Sequence, residues 1–133
     1  MLNKIEHIGI AVKDLSTATQ IYKSLLGVDC YKMEDVESES VTTAFFKTGE
    51  SKIELLAATD DESVIKKFID RKGEGIHHIA FDVSDIYAEM ERLRDEGFIL
   101  LNDVPKKGAD NKLICFVHPK SANGVLIELC QEI

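Results

Sequence analysis

Four side chains that could bind a metal ion occupy repeated positions in this 133-residue chain: His7, Glu54, His78 and Glu128. Each histidine begins a similar strand-like segment, HIGIAV or HIAFDV, and each glutamate follows an isoleucine in the segments IELL and IELC. The offset between the copies is 71 residues for the histidines and 74 for the glutamates, which indicates one duplicated module. Two imidazoles and two carboxylates are the ligands of a divalent metal site that keeps positions open for a substrate.

The repetition distinguishes these residues from ordinary strand residues. A single histidine in a strand is more often a half-buried, hydrogen-bonded residue than a ligand, and a single strand glutamate usually faces solvent. Glu54 and Glu128, however, lie between apolar neighbours. A carboxylate there is costly to bury unless a positive group compensates it. Four such residues at equivalent positions favour a metal site, with a metal-free pocket or a vestigial repeat as the alternatives.

The two-residue period of a strand assigns each histidine to a face. His7 shares its face with Gly9 and Ala11, so the apolar residues between them point the other way. In the second copy the same period separates His78 from His77, which falls on the apolar side. We expect helices to cover the apolar rows and the small residues beside the histidines to leave space on the opposite, concave face. His78, rather than His77, is therefore the predicted ligand.

Hydrophobic periodicity predicts two βαβββ modules, at about 4–58 and 76–131, joined by a helix at about 61–72. In the first module we expect a helix at 15–26 and strands at 4–12, 28–33, 41–48 and 52–57. In the second we expect a helix at 85–96 and strands at 77–83, 98–101, 112–118 and 124–131. The apolar stripes of the two module helices are Leu15, Ala18, Tyr22 and Leu25 in the first, and Ile86, Met90 and Leu93 in the second.

Composition narrows the class of protein. At 133 residues, 44% of them hydrophobic, the chain is expected to form one domain over 1–133. A net charge of −8 argues against nucleic-acid binding, which depends on neutralising phosphates. The cysteines, Cys30, Cys115 and Cys130, are odd in number and widely spaced, which favours reduced thiols in a cytoplasmic protein. The N-terminus shows no pattern of a signal peptide, and no membrane span is expected.

Two longer segments carry a family resemblance. GIHHIAF at 75–81 and HPKSANGVLIELCQ at 118–131, together with the paired modules, resemble the methylmalonyl-CoA epimerase family of the vicinal oxygen chelate superfamily. The resemblance covers essentially the whole chain. It implies an α+β fold in which two paired βαβββ modules form a curved sheet around a cleft, in a protein that is often a homodimer.

The resemblance also implies a cofactor, its ligands and a substrate. Such proteins hold a divalent ion, commonly cobalt, with zinc, manganese, nickel and magnesium as other candidates. By position the metal ligands would be His7, His78 and Glu128, while Glu54 fills a slot where relatives have glutamine or glutamate. The substrate would be a CoA thioester. Lys120 is the candidate for binding it, from a group of lysines that could equally form a solvated surface: Lys106, Lys107, Lys112 and Lys120.

The implied activity inverts the carbon between a thioester and a carboxylate. A weakly acidic proton must leave this carbon and another must return on the opposite face, and a metal ion would stabilise the enolate charge. Glu128 is the predicted catalytic acid and base. Some relatives place a second glutamate on the third strand of the first module, where this chain has Thr43. The second base is therefore unassigned, with a metal-bound water, Glu54 and Glu39 as alternatives.

Two competing functions use the same fold. A glyoxalase I-like lyase would isomerise a thiol hemithioacetal with the same ligands and the same enolate stabilisation. A small-ligand-binding protein of this fold would hold no metal and catalyse nothing. Metal content separates the binding protein from both enzymes, and proton exchange at the α-carbon of methylmalonyl-CoA separates the two enzymes.

Overall fold

Strands and helices follow one another in the order that the periodicities predict, and βαβββ occurs twice. The computed structural model describes all residues, 1–133. Its elements are β1 Leu2–Ala11, α1 Leu15–Leu26, β2 Lys32–Val36, β3 Val41–Thr48, β4 Ser51–Ala58, α2 Val64–Lys72, β5 Gly75–Val83, α3 Ile86–Asp95, β6 Lys106–Lys107, β7 Lys112–Val117 and β8 Ile127–Glu132. Short 3₁₀ turns lie at Glu37–Glu39, Ala109–Asn111 and Pro119–Ser121. No helix is long and apolar enough to cross a membrane.

The chain divides into two compact units, which we call the N-terminal unit, 7–77, and the C-terminal unit, 1–6 with 78–133. In the N-terminal unit the strand order is β2-β3-β4-β1. β1 runs parallel to β4, whereas β2 and β3, and β3 and β4, are antiparallel. The parallel register places Gly9 beside Glu54 and Ala11 beside Leu56.

Helix α1 covers one face of the N-terminal sheet. It begins at Asp14, whose carboxylate accepts hydrogen bonds from the backbone N–H groups of Ser16 and Thr17, and ends at Gly27 in the left-handed conformation. Its apolar side belongs to the cluster of Val12, Ala18, Ala44, Phe46, Leu55 and Ala57, with Leu15, Tyr22 and Leu26 against it. The apolar row of β1 is therefore covered by a helix, as predicted. Leu25 was wrongly included in the stripe: it is 70% exposed, and Leu26, one turn after Tyr22, packs instead.

Helix α2 lies on the other face of the same sheet. Ile65 packs with Ala11, Val41 and Leu56, and Phe68 and Ile69 lie against this cluster. The expected open space on the histidine face is therefore filled by α2 at the Ala11 end of β1. The helix begins after Ser63, whose hydroxyl accepts a hydrogen bond from the N–H of Ile65. The acidic run at 60–62 precedes the helix, which explains why the predicted start was too early.

The C-terminal unit has the strand order β5-β8-β7-β6. β5 is parallel to β8, and β7 is antiparallel to both of its neighbours, β6 and β8. The register places Ala80 and Phe116 on either side of Glu128. Helix α3 contributes its predicted stripe to the core cluster of Val83, Ile86, Met90, Leu93, Cys115, Val117 and Leu129.

Three predicted strands have different bounds in the structure. The segment 98–101 contributes only an isolated bridge between Leu100 and Val117, and the two-residue β6 is the remaining strand. The backbone N–H of Ile99 donates to the Ser121 hydroxyl, so a bond to a side chain takes the place of one backbone bond that a strand would make. β2 begins at Lys32 rather than near 28. β8 begins at Ile127 because the chain turns at Gly124, which has a positive φ.

Candidate active site

His7 and Glu54 form a buried pair in the N-terminal unit. His7 lies on β1 and Glu54 on β4, and the parallel register sets the glycine two residues after the histidine beside the glutamate. The absent side chain at Gly9 lets the carboxylate reach along the sheet toward the imidazole. His7 Nδ1 lies 3.1 Å from Glu54 Oε2, and each residue is 5% exposed.

His78 and Glu128 form the equivalent pair in the C-terminal unit. His78 lies on β5 and Glu128 on β8, and Ala80, again two residues after the histidine, is beside the glutamate. His78 Nε2 lies 3.2 Å from Glu128 Oε1, and both residues are 5% exposed. The ring of Phe116 packs edge-on against the imidazole with 5.9 Å between ring centroids, which holds the plane of His78.

The same construction in both units explains how carboxylates can occupy apolar strands. Each glutamate lies within hydrogen-bonding distance of an imidazole nitrogen, the partner that a buried carboxylate needs. The contacting nitrogen differs, Nδ1 in His7 and Nε2 in His78, so the two copies are similar but not identical. Imidazole nitrogen and carboxylate oxygen are ligands for zinc, cobalt and related divalent ions. The residues of each pair therefore fit a divalent metal ion by donor type, burial and spacing.

The charge of Glu128 affects a neighbouring thiol. Cys130 lies two residues further along β8, on the face of Glu128, in a cluster with Ala80 and Ile114. Burial raises the pKa of the Cys130 thiol strongly, and the carboxylate of Glu128 raises it further. Burial, followed by Glu128, also raises the pKa of Cys115 to about 11. Both thiols are therefore protonated near neutral pH and poorly reactive as nucleophiles.

His77 occupies a different environment from His78. Its ring packs edge-on against Phe68 of α2, with ring centroids 4.9 Å apart. His77 is partly buried and His78 is buried, so the two adjacent histidines have different neighbours. His118, interpreted as a turn residue, precedes a 3₁₀ turn, and its Nδ1 accepts a hydrogen bond from the backbone N–H of Lys120.

The lysines of the last third have unequal environments. Lys120 is exposed in the 3₁₀ turn at Pro119–Ser121, and Lys106 and Lys107 are exposed on β6. Lys112 is only 7% exposed and lies 3.5 Å from a carboxylate oxygen of Glu132. An ion pair thus occupies Lys112, while Lys120 keeps an ammonium group that a ligand could reach.

The unpaired hydroxyl of Thr43 is a feature that the sequence alone could not identify. Its residue is 1% exposed, and its hydroxyl is buried without a hydrogen-bond partner. On β3 it lies beside Leu56 of β4, two residues from Glu54 and on the same face. The family resemblance marked this position as a departure from glutamate, but it gave no signal of an unpaired hydroxyl.

A separate cavity of about 390 Å³ lies in the N-terminal unit, where β1 and β4 end next to the beginning of α2. Lys13, Asp60, Asp61, Lys66 and Asp70 contribute its charged lining. None of the predicted site residues lines it. Lys66 is paired with Asp70 at 2.7 Å, so part of the charge is already neutralised within the protein.

Comparison with known proteins gives consistent matches over nearly the whole chain. The family model described as Glyoxalase/Bleomycin resistance protein/Dioxygenase superfamily matches residues 6–116. An ethylmalonyl-CoA/methylmalonyl-CoA epimerase from Cereibacter sphaeroides is 38% identical, with 98% of this chain and 99% of that protein covered.

Two solved structures have the same fold. The crystal structure of methylmalonyl-CoA epimerase from Mycobacterium tuberculosis superimposes with a TM-score of 0.94 at 37% identity, covering 99% of this chain and 89% of that one. A Streptomyces coelicolor methylmalonyl-CoA epimerase variant in complex with 2-nitronate-propionyl-CoA gives a TM-score of 0.93 at 36% identity, covering 99% of both chains. The predicted fold class, with its paired βαβββ modules, is thereby confirmed.

Proposed function

This chain belongs to the Glyoxalase/Bleomycin resistance protein/Dioxygenase superfamily, and we propose that it is an epimerase that interconverts the R and S forms of methylmalonyl-CoA. The observation that carries the proposal is the equivalent buried His–Glu pair in each unit of a chain that matches epimerases over its full length. The predicted resemblance to this superfamily and to its epimerases is confirmed by the same matches.

The reaction makes two demands on the protein. A proton must leave a carbon placed between a thioester and a carboxylate, and a proton must return to the other face. The negative charge of the resulting enolate is the obstacle, since it develops in a region from which water is excluded. Fixed positive charge near the thioester oxygen and a carboxylate that can move a proton meet these demands.

We propose that His7, His78 and Glu128 hold one divalent metal ion, with Glu54 as a further ligand. Support comes from their equivalent positions in the repeat and from the spacing of about 3 Å within each pair. Cobalt is the first candidate, followed by zinc, manganese, nickel and magnesium. When bound, the ion would supply the Lewis acidity that stabilises charge on the substrate oxygens.

Glu128 is proposed to move the proton. The residue is 5% exposed, and one carboxylate oxygen lies 3.2 Å from His78 Nε2, within hydrogen-bonding distance. The proposal gives Glu128 two roles, ligand and base, which a substitution that retains an oxygen donor can separate.

Three candidates for the second acid and base are a metal-bound water, Glu54 and Glu39, and Glu54 is the better placed of the two side chains. It is 5% exposed and lies beside His7, whereas Glu39 is part of the 3₁₀ turn at Glu37–Glu39. Its position on the face of β1 and β4 that carries His7 supports this choice. We assign Glu54 the second proton transfer in addition to its proposed contact with the ion.

Three further assignments complete the proposal. Lys120 would bind an anionic group of the CoA substrate, which is supported by its exposure. The protein would act in the cytoplasm, which is supported by its three free cysteines. A homodimer is proposed from the family resemblance.

The proposed function is tested with two substrates and one analysis of metal content. Purified protein is incubated with a single epimer of methylmalonyl-CoA and, separately, with the hemithioacetal of methylglyoxal and glutathione. We expect conversion of the first toward a mixture of epimers and no turnover of the second. Elemental analysis should find a divalent metal at about one ion per chain. Turnover of the hemithioacetal alone would identify a lyase, and metal-free protein without turnover would identify a binding protein.

A further inference from the structure

The buried hydroxyl of Thr43 has no hydrogen-bond partner, although nearly all buried polar groups in native proteins have one. The residue lies in the middle of β3, the second strand of the N-terminal sheet order, and is 1% exposed. An unpaired hydroxyl in such a place destabilises the folded state, because folding removes it from water and gives nothing in return. A residue of similar shape without the hydroxyl, such as valine, would suit the ligand-free protein better.

The register of the sheet places this hydroxyl beside the candidate site. Thr43 is opposite Leu56, and Glu54 is the next residue on the same face of β4. Such diagonal neighbours have Cβ atoms about 7 Å apart, close enough for one bound group to contact both side chains. The hydroxyl therefore faces the side of the sheet that carries His7 and Glu54.

Thr43 and the nearby residues of the candidate site are all buried. His7 and Glu54 are each 5% exposed, so these two side chains are as inaccessible to solvent as Thr43 in the ligand-free protein. Val41 and Leu56, the neighbours of Thr43, are covered by Ile65 of α2. A ligand that reaches the carboxylate of Glu54 must displace atoms that bury it, and Thr43 is the neighbouring polar residue on that face of β3.

We infer that Thr43 is a substrate-positioning residue, whose hydroxyl donates a hydrogen bond to an oxygen of the bound acyl group. This rests on the proposed function. A threonine hydroxyl cannot serve as a general base near neutral pH, but it is a good donor to a carboxylate or thioester oxygen. The hydrogen bond would form only when substrate is bound. The unpaired hydroxyl therefore destabilises the free protein, and it gains a partner only in the substrate complex.

The inference predicts opposite effects of one substitution on stability and activity. Thr43→Val removes the hydroxyl and keeps the shape, so the melting temperature of the ligand-free protein should rise by about 2–5 °C. Its kcat/KM for methylmalonyl-CoA should fall about 10-fold or more, because a donor to a charged or strongly polarised oxygen is lost. Thr43→Ser keeps the hydroxyl and should retain at least a third of the wild-type kcat/KM.

Thr19 provides a matched control, since its hydroxyl on α1 is also buried without a partner. Thr19→Val should raise the melting temperature in the same way and leave kcat/KM unchanged. Inhibition by propionyl-CoA, which lacks the free carboxylate, locates the contact: a weaker inhibition of the Thr43→Val variant assigns it to the thioester oxygen, and an unchanged one assigns it to the carboxylate.

Two results would overturn the inference while leaving the proposed function intact. One is a Thr43→Val variant with kcat/KM within twofold of an active wild-type protein. The other is a lower melting temperature of this variant, together with equal loss of activity in Thr43→Ser, which would show a structural role. A wild-type protein that cannot epimerise methylmalonyl-CoA would instead refute the proposed function, and the inference with it.

Discussion

At the scale of single residues, the histidine in each pair explains how the neighbouring glutamate can be buried. A buried carboxylate needs a hydrogen-bond donor or a positive charge, and an imidazole two positions from a small residue can supply it. Gly9 and Ala80 make this contact possible, because a large side chain at either position would lie between the two groups.

Replacing each of the two adjacent histidines in turn should show which one binds the metal. We expect His78→Ala to lose the bound metal and nearly all turnover, because it removes a ligand that faces Glu128. His77→Ala is the matched control and should keep its metal, since His77 packs on Phe68. Elemental analysis of both purified variants is the measurement, and metal loss in His77→Ala alone would reverse the assignment.

Replacing Glu128 with glutamine should separate its two roles. Glu128→Gln keeps an oxygen donor but cannot accept the proton, so turnover should fall by a factor of about 100 or more. Circular dichroism should show an unchanged fold. Glu132→Gln is the control: Glu132 is on the same strand with its side chain 83% exposed, and its loss should leave the rate within twofold. A near-wild-type rate for Glu128→Gln would show that another group carries the proton.

The three thiols should differ in reactivity. Cys115 and Cys130 are buried, and their raised pKa values keep them protonated at pH 8, whereas Cys30 is partly exposed. Because the thiolate is the reactive form, we expect iodoacetamide to label Cys30 at least tenfold faster than the others in the folded protein. Peptide mass spectrometry gives the three rates. Comparable rates before unfolding would contradict the burial of Cys115 and Cys130.

At the scale of elements, sequence periodicity correctly predicted the features that depend on local sequence pattern. It failed for segments whose structure depends on tertiary contacts. The βαβββ order, the bounds of β3 and the stripe of α3 follow from alternation and helical period. The segment 98–101 has strand composition, yet it makes only a short bridge to the end of β7, and the backbone N–H of Ile99 donates to the Ser121 hydroxyl instead of to a strand. Helix α2 packs on the histidine face at Ala11, where the small residues of β1 had predicted open space. Its position depends on tertiary packing, which the local sequence pattern does not encode.

The N-terminal cap of α2 should contribute measurably to stability. Ser63 is 1% exposed and accepts a hydrogen bond from the N–H of Ile65 at 3.1 Å. Ser63→Ala removes this acceptor and should destabilise the protein by about 1 kcal/mol. Ser16→Ala, at an exposed position in the first turn of α1, should change stability by less than about 0.5 kcal/mol. Urea unfolding measures both, and equal stability of the two variants would show that the cap contributes nothing.

At the scale of the whole molecule, the duplicated sequence module allowed the candidate site residues to be identified from the sequence. Two copies of one pattern identified two histidines and two glutamates, and the structure gives each copy the same buried pair. The roles of these residues in metal binding and proton transfer remain predictions. The unpaired hydroxyl of Thr43 could not be found in this way, because whether a buried group has a partner depends on every neighbour that surrounds it.

The central claim is that this protein removes and returns the α-proton of methylmalonyl-CoA. It is tested most directly by incubating the metal-loaded protein with methylmalonyl-CoA in deuterium oxide and following the α-carbon by mass spectrometry and NMR. The account predicts incorporation of one deuterium per molecule, together with mixing of the two epimers, at a rate well above that of substrate alone. Incorporation no faster than in a protein-free control would contradict it.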